Sequence, residues 1–471
     1  MKVLLVLLSL SFAASAFGQY HEHMIRTEDS RPLPACETLP TQALTCKLLR
    51  EARERVSAIP LSLLQSEEVT KRGKKTISRK TVLREFAVTA YDPTTRQWHD
   101  IVLSMPLVGN STFQPVVRTP HDPPYEVTRL KGQTFNKMHF GVRMGERNLY
   151  VYAAKHLSIP PAFRNRDVRK MIDETEPIVY LSTPVYVVNE EMARLGKAYV
   201  VAALEEVLAD LRLKKIASRA FPGKLVGEKV SAEMLMNLLV TEQTDPCLLQ
   251  ERERGCVRLI PALFFKSDDE VMESVLTEFV LNGFQSYRYI CSAAAACGAF
   301  QFTNNSKTKA VMKNGKKVSE MHLGTYDMVR AAYPGADLDP NFRRGTKSFF
   351  NSAKAAALLI DLDLSWSRTP SWVRELITKD QRAGFFLPAT SFNAGAVQLR
   401  RVADMLLEFV QQKGISVIAF ETFPWREFFS WMEAQKKTLP AETFGYLRKS
   451  LSYWLHPRVH TSLVPEQRGL Q

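Results

Sequence analysis

Residues 176–215 read "EPIVYLSTPVYVVNEEMARLGKAYVVAALEEVLADLRLKK", and the period of the pattern changes inside them. Up to about residue 188, apolar and polar residues alternate, with Val and Tyr enriched, as in a strand. From about 188 onward the apolar positions recur at helical spacing, and one long amphipathic helix is expected. Either side of this point the chain keeps the same two characters. Upstream, "TVLREFAVTAYD" (81–92), "QWHDIVLSMPLV" (97–108), "QPVVRT" (114–119) and "NLYVYAAKHL" (148–157) are alternating segments bounded by turn signals and are expected as strands. A short helix over about Leu44–Ser57 precedes them. Downstream, "SAEMLMNLLVTEQTDP", "DDEVMESVLTEFVLNGF", "PNFRRGTKSFFNSAKAAALLIDL", "AVQLRRVADMLLEFVQQKG", "PWREFFSWMEAQK" and "ETFGYLRKSLSYWL" all carry helical periodicity, so this part is expected to be nearly all helical. The fold class expected is α+β: a smaller β-rich domain over 20–187, then a mainly α domain over 188–471.

The chain has 471 residues, 45% of them hydrophobic and 24% charged, a globular composition long enough for two domains. Residues 1–19, "MKVLLVLLSLSFAASAFGQ", combine a lysine, an apolar run and small residues, the pattern of a cleaved secretory signal. No later run reaches membrane-spanning length, so no anchor is expected after cleavage. Export gives meaning to six cysteines that fall into three neighbouring pairs: Cys36 with Cys46, Cys247 with Cys256, and Cys291 with Cys297. Local disulfides are the simplest pairing, although six cysteines allow 15 connectivities. Neither Cys-x-x-Cys spacing nor a nearby histidine supports a metal site, and no cofactor is expected. The net charge of +14 points to a polyanion as partner. In an exported protein that favours cell-wall polymer or an anionic membrane surface over nucleic acid. The densest basic knot, "KRGKK" at 71–75, reads equally well as a solvated loop.

No His-Glu-x-x-His, Gly-x-Ser-x-Gly or phosphate-cradling glycine loop is present. What remains is carboxylate chemistry. Glu242 closes an apolar helix that starts at a plausible Ser231 cap and stops before Asp245-Pro246. A carboxyl walled by leucine and valine is desolvated, which raises its pKa toward that of a general acid. Three further segments stand out for their small residues and turns: "SAAAACGAFQ" from Ser292, "ATSFNAG" (389–395) and "LPAETFGYLRK" (439–449).

Together these segments resemble the lysozyme-like lytic transglycosylases that cut peptidoglycan. The family's Glu-Ser-x-Phe-x-Pro is matched by Glu242-Gln243-Thr244-Asp245-Pro246. Its Ser-x-x-Gly-Ala-x-Gly-Leu-Met-Gln is matched by Ser292 through Gly298-Ala299-Phe300-Gln301. Ala-Tyr-Asn-Ala-Gly corresponds to Ser391-Phe392-Asn393-Ala394-Gly395, and the late Glu-Thr-Arg-x-Tyr-Val to Glu442-Thr443-Phe444-Gly445-Tyr446-Leu447. The order is the family's, over roughly residues 190–456. The stretch between Glu242 and Gln301 is long, like the insertion of the membrane-bound lytic transglycosylase B type. Glu278 lies nearer Gln301 and is the rival catalytic carboxyl, but its helix is expected to run on past it, and burial or an ion pair would account for it.

The resemblance implies Glu242 as the catalytic acid and base. It implies that Ser292, Gly298, Ala299, Gln301, Phe392, Asn393 and Tyr446 line the sugar site. The implied reaction cleaves the MurNAc–GlcNAc β-1,4 bond to leave 1,6-anhydro-MurNAc, in the periplasm or outside the cell. Phe392, Gln243 and Phe444 depart from the family's tyrosine, serine and arginine. The competing expectations are a hydrolytic lysozyme on the same fold and a catalytically weak module that binds glycan strands and engages a cell-envelope protein through the β-rich part.

Overall fold

The computed structural model describes residues 31–36, 39, 41–72, 75–106, 115–134, 137–157, 176–183, 187–244, 267–292, 296–304, 306–313, 316–435 and 439–456. The expected signal segment lies outside the described residues.

Two of the three expected local disulfides are formed, Cys36 with Cys46 and Cys291 with Cys297. Cys247 and Cys256, the third expected pair, lie outside the described residues.

The fold is α+β, with strands gathered in the first part of the chain and helices in the second. Helix α1 (Ala43–Ala58) is followed by β1 (Leu63–Arg72), β2 (Lys75–Asp92), β3 (Gln97–Pro106), β4 (Val116–Val117), β5 (Tyr125–Thr134), β6 (Lys137–Met144), β7 (Arg147–Leu157) and β8 (Pro177–Leu181). These form one antiparallel sheet in the order β4-β3-β2-β7-β6-β5, with β1 also paired to β2 and β8 to β7. The KRGKK knot falls at the β1–β2 connection.

Alternation along β2 sends neighbouring side chains to opposite faces of the sheet. Phe86, Val88 and Ala90 enter one core with Ile101, Leu103 and Phe140. Ala87, with Ala153 and Leu181, faces a second core that holds Cys46, Leu49 and Val56 of α1 together with Met192, Val280 and Leu281 of the helical part. The disulfide between Cys36 and Cys46 sits at the edge of that shared core.

The helical part comprises α2 (Glu190–Leu213), α3 (Val226–Lys229), α4 (Ala232–Gln243), α5 (Asp268–Asn282), α6 (Thr325–Ala332), α7 (Phe342–Lys347), α8 (Phe349–Leu364), α9 (Ser371–Lys379), α10 (Gln381–Ala394), α11 (Ala396–Lys413), α12 (Trp425–Ala434) and α13 (Ala441–Leu455). Helix α8 runs through the middle. Its Ala353, Ala355, Ala356 and Ala357 are fully buried, and their small size lets α2, α4 and α10 pack close around it. The segment 340–362 is two helices, because Ser348 adopts an extended backbone and accepts from the N–H of Asn351 (3.1 Å) to start α8.

The expectation of a nearly all-helical second part needs one correction. Strands β9 (Lys307–Lys313) and β10 (Lys316–His322) form a two-stranded antiparallel hairpin between Gln301 and α6. The signal was in the sequence: "KTKAVMKNGKKVSEMH" alternates around Asn-Gly, a favoured two-residue hairpin turn.

Candidate active site

Helix α4 begins where Ser231 Oγ accepts from the Met234 N–H (3.2 Å). Its Leu235, Leu238, Leu239 and Val240 are buried. Asn237 then locks it to α13: its Nδ2 donates to the Ser450 carbonyl (2.9 Å) and its Oδ1 accepts from Ser450 Oγ (2.7 Å). The helix stops at Gln243, where the Thr244 N–H and Oγ both donate to the Val240 carbonyl, at 2.8 and 2.7 Å. Glu242 is therefore held at a helix end that is fixed from two sides.

Thr241, Gln243 and Thr244 around it are buried, whereas Glu242 keeps intermediate exposure, so solvent or substrate can reach it. Burial pushes its carboxyl up to about 7, opposed by Lys449 and the Tyr446 hydroxyl and reinforced by Glu442. These three groups lie at positions 442, 446 and 449 of α13, one face of that helix. The buried Tyr446 hydroxyl lies beside the Glu242 carboxyl without completing a hydrogen bond of good geometry. Lys449 Nζ donates to the Thr244 carbonyl (3.2 Å) and stands 5.6 Å from the centre of the Tyr446 ring. A neutral acid with a cation and a phenol beside it can release a proton and then hold the resulting negative charge.

The second wall is the turn around Cys291 and Cys297. The two cysteines are bonded to each other, and Cys297 exchanges backbone hydrogen bonds with Phe302 (2.8 and 3.0 Å). Gly298 donates its N–H to the Ile290 carbonyl (2.9 Å) at φ +79°, and a Cβ placed on it would sit 2.2 Å from the Thr346 carbonyl oxygen. Only glycine fits there. Gln301 also has positive φ, +47°, and its Nε2 donates to the Gly298 carbonyl (2.8 Å). The Ser292 hydroxyl accepts from the Ala296 N–H (3.1 Å) and so holds the turn. Ala293, Ala294 and Ala295 lie outside the described residues. Ala299 is buried, and its carbonyl accepts from Gln243 Nε2 at 2.7 Å. The sheet braces this wall from behind: Glu176, just before β8, pairs at 2.6 Å with Lys347, next to Thr346.

Helix α10 supplies the third wall. It starts at Asp380, whose Oδ1 accepts from the N–H groups of Arg382 and Ala383 (both 3.0 Å), and ends at Gly395 with φ +79°. Phe392, in its last turn, meets Phe302 edge-on with ring centres 5.6 Å apart. Asn393 is its half-buried neighbour on that turn. Helix α10 packs on both α4 and α13, Phe392 rests on Phe302 next to the Gly298–Gln301 turn, and Gln243 and Tyr446 tie that turn and α13 to the end of α4.

Glu278 is elsewhere. It is buried on α5, accepts from Asn282 Nδ2 (2.8 Å) and Thr183 Oγ1, and sits near Arg53. Arg53 in turn donates to the Leu281 carbonyl (2.7 Å) and Asn282 Oδ1 (2.9 Å), while the Leu181 N–H donates to the same Oδ1 (2.7 Å). These contacts form a polar seam that joins α1 and β8 to α5, which accounts for a buried carboxylate structurally.

Three features escaped the sequence reading. Lys449 was signalled only by its spacing of three from Tyr446. Gln243 looked like a mere departure from a serine. Asp363, buried near the end of α8, is pushed up to about 7 by burial, opposed by the Ser391 hydroxyl two residues before Asn393; no local pattern marked it. No group of three or more His, Cys, Asp or Glu suited to a metal ion occurs among the described residues.

No family model matches the sequence, no curated protein is significantly similar to it, and no solved structure matches it. Among the described residues no helix is long and apolar enough to cross a membrane.

Proposed function

We propose that this chain is an exported peptidoglycan lytic transglycosylase with Glu242 as its single acid–base residue. The observation that carries the reading is the Glu242 carboxyl: reachable at the end of α4, raised to about 7, and adjoined by Tyr446 and Lys449. The four family-like segments in family order support it, and so does the meeting of the Gly298–Gln301 turn and α13 at the Glu242 helix end. Two disulfides and the leader-like residues 1–19 support export.

The neutral carboxyl of Glu242 donates its proton to the glycosidic oxygen as the bond to the MurNAc anomeric carbon breaks. The carboxylate then takes the proton of the MurNAc 6-hydroxyl, whose oxygen attacks that carbon and closes the 1,6-anhydro ring. No water is consumed, and Glu242 ends as it began. Lys449 and the Tyr446 hydroxyl stabilise the intervening carboxylate. One carboxyl suffices because the attacking hydroxyl belongs to the substrate, unlike the usual glycosidase pair.

The test is mass spectrometry of fragments released from purified sacculi by wild type and Glu242→Gln. Anhydro-muropeptides from the wild type, reduced at least ~10²-fold in the variant, are expected. Hydrated reducing ends would make the protein a lysozyme. Glycan binding without any release would make it a binding module.

A further inference from the structure

We propose that the cavity between α12 and α13 is a second binding site, which takes the free carboxy-terminal end of a short peptide with small side chains. The cavity measures about 430 Å³, within the range of roughly 300–1,000 Å³ usual for small-ligand sites. It lies across α13 from Glu242. Glu442, Tyr446 and Lys449 share the face of α13 turned to that carboxyl. Phe444, Arg448, Leu451 and Leu455 recur at helical spacing on the opposite face and line the cavity. The two sites are therefore separate and share one helix.

The lining is divided by chemistry. Phe429 and Leu451 are buried, and the Phe429 and Phe444 rings stand 5.8 Å apart, which gives the cavity an apolar part. Arg426, in the first turn of α12, is exposed, and its guanidinium meets no acceptor among the described residues. The half-buried Ser452 adds a hydroxyl beside it in the lining. Asp269 and Glu433 bring negative charge; Asp269 also lies 3.5 Å from the buried His456.

A ligand has to answer each of these groups. A free carboxylate pairs with the planar guanidinium of Arg426. Small apolar side chains cover Phe429 and Leu451. Peptide N–H groups and an amine suit Asp269 and Glu433. An acyl chain would leave those two carboxylates against hydrocarbon, which costs desolvation without a partner. A neutral sugar would bring no charge to Arg426. Stem peptides of peptidoglycan have the required make-up, with amide and amine groups and a terminal D-alanine carboxylate; this source rests on the reading of the chain as a peptidoglycan enzyme. With α13 between the cavity and Glu242, a peptide held there anchors the protein on the wall and takes no part in bond cleavage.

The test is calorimetric titration of the whole protein with a synthetic stem tetrapeptide, either free or amidated at its terminal D-alanine. Wild type should bind the free acid at least ~10-fold more tightly than the amide, the worth of a charge-assisted pair. Arg426→Gln, at an exposed position, should bind both peptides equally weakly, and Arg426→Lys should recover part of the preference. Turnover of Arg426→Gln on peptide-free glycan should equal that of wild type. No binding of the free peptide, equal binding of acid and amide by wild type, or an unchanged preference in Arg426→Gln overturns the proposal. So does lost turnover of Arg426→Gln on peptide-free glycan, which would place Arg426 in the cutting site. Peptide binding by a wild type that releases nothing from sacculi keeps this site and sinks the transglycosylase reading; release without peptide binding does the reverse.

Discussion

Gln243 Nε2 donates to the Ala299 carbonyl at 2.7 Å, so the residue next to Glu242 is tied to the turn that carries Gly298 and Gln301. The same amide lies 3.4 Å from the Gly298 carbonyl. One buried side chain thus links the helix end that carries Glu242 to that turn. Gln243→Ala removes the donor to the Ala299 carbonyl, while the Gly298 carbonyl keeps Gln301 Nε2 and the Gln301 N–H, at a cost of ~1–3 kcal/mol. It should lower anhydro-muropeptide release by ~10- to 10²-fold through misplacement of the wall. Urea unfolding and product release measured together check both effects; full activity in a destabilised variant would show that the wall position does not matter.

The raised Glu242 carboxyl makes stability depend on pH with a definite sign. Its folded pKa, about 7, lies above its unfolded value, so its contribution is fully present below about 4.3 and is lost as pH rises through 7. Glu242→Gln is neutral throughout. It should match wild type near pH 4 and exceed it near pH 8 by on the order of 2 kcal/mol. Asp363→Asn should behave in the same direction, because burial also raises Asp363 to about 7. Chemical denaturation at the two pH values reads this out, and no gain at high pH would mean that Glu242 is fully hydrated.

Activity should follow the same carboxyl. In the proposed reaction the acid form of Glu242 acts first, so kcat/KM should fall as pH rises above about 7. Lys449→Met removes the cation that favours the carboxylate and should move this limb to higher pH. A limb that stays in place would separate Lys449 from the Glu242 titration.

Glu278→Gln disturbs the seam between α1, β8 and α5 rather than the site. We expect a loss of ~1–3 kcal/mol in stability with turnover per folded molecule unchanged. Turnover that collapses while stability holds would place the chemistry on α5.

Gly298→Ala meets two obstacles at once, a φ of +79° and the Thr346 carbonyl 2.2 Å from the new Cβ. A destabilisation of ~1–3 kcal/mol is expected, read as a lower Tm. An unchanged Tm would show that the turn relaxes freely.

The sequence by itself determined the class of the fold, because hydrophobic period is a local property. The shift near residue 188 marks where the sheet ends at Leu181 and the helices begin at Glu190. It also located Glu242 at a helix end, since Ser231 and Asp245-Pro246 are local signals, and it paired Cys36 with Cys46 and Cys291 with Cys297 by proximity. The β9–β10 hairpin was legible too, in its alternation and its Asn-Gly, but the helices around it drew the reading away. What only the tertiary structure decided is the surroundings of each carboxyl. Pattern favoured Glu242, at a helix end, over Glu278, inside a helix, but could not show what surrounds either. They differ because α13 brings Lys449, Tyr446 and Glu442 to one, while β8 and α1 surround the other with Thr183 and Arg53. A pKa is set by burial and by charges from distant parts of the chain, and neither is a function of neighbouring residues in sequence.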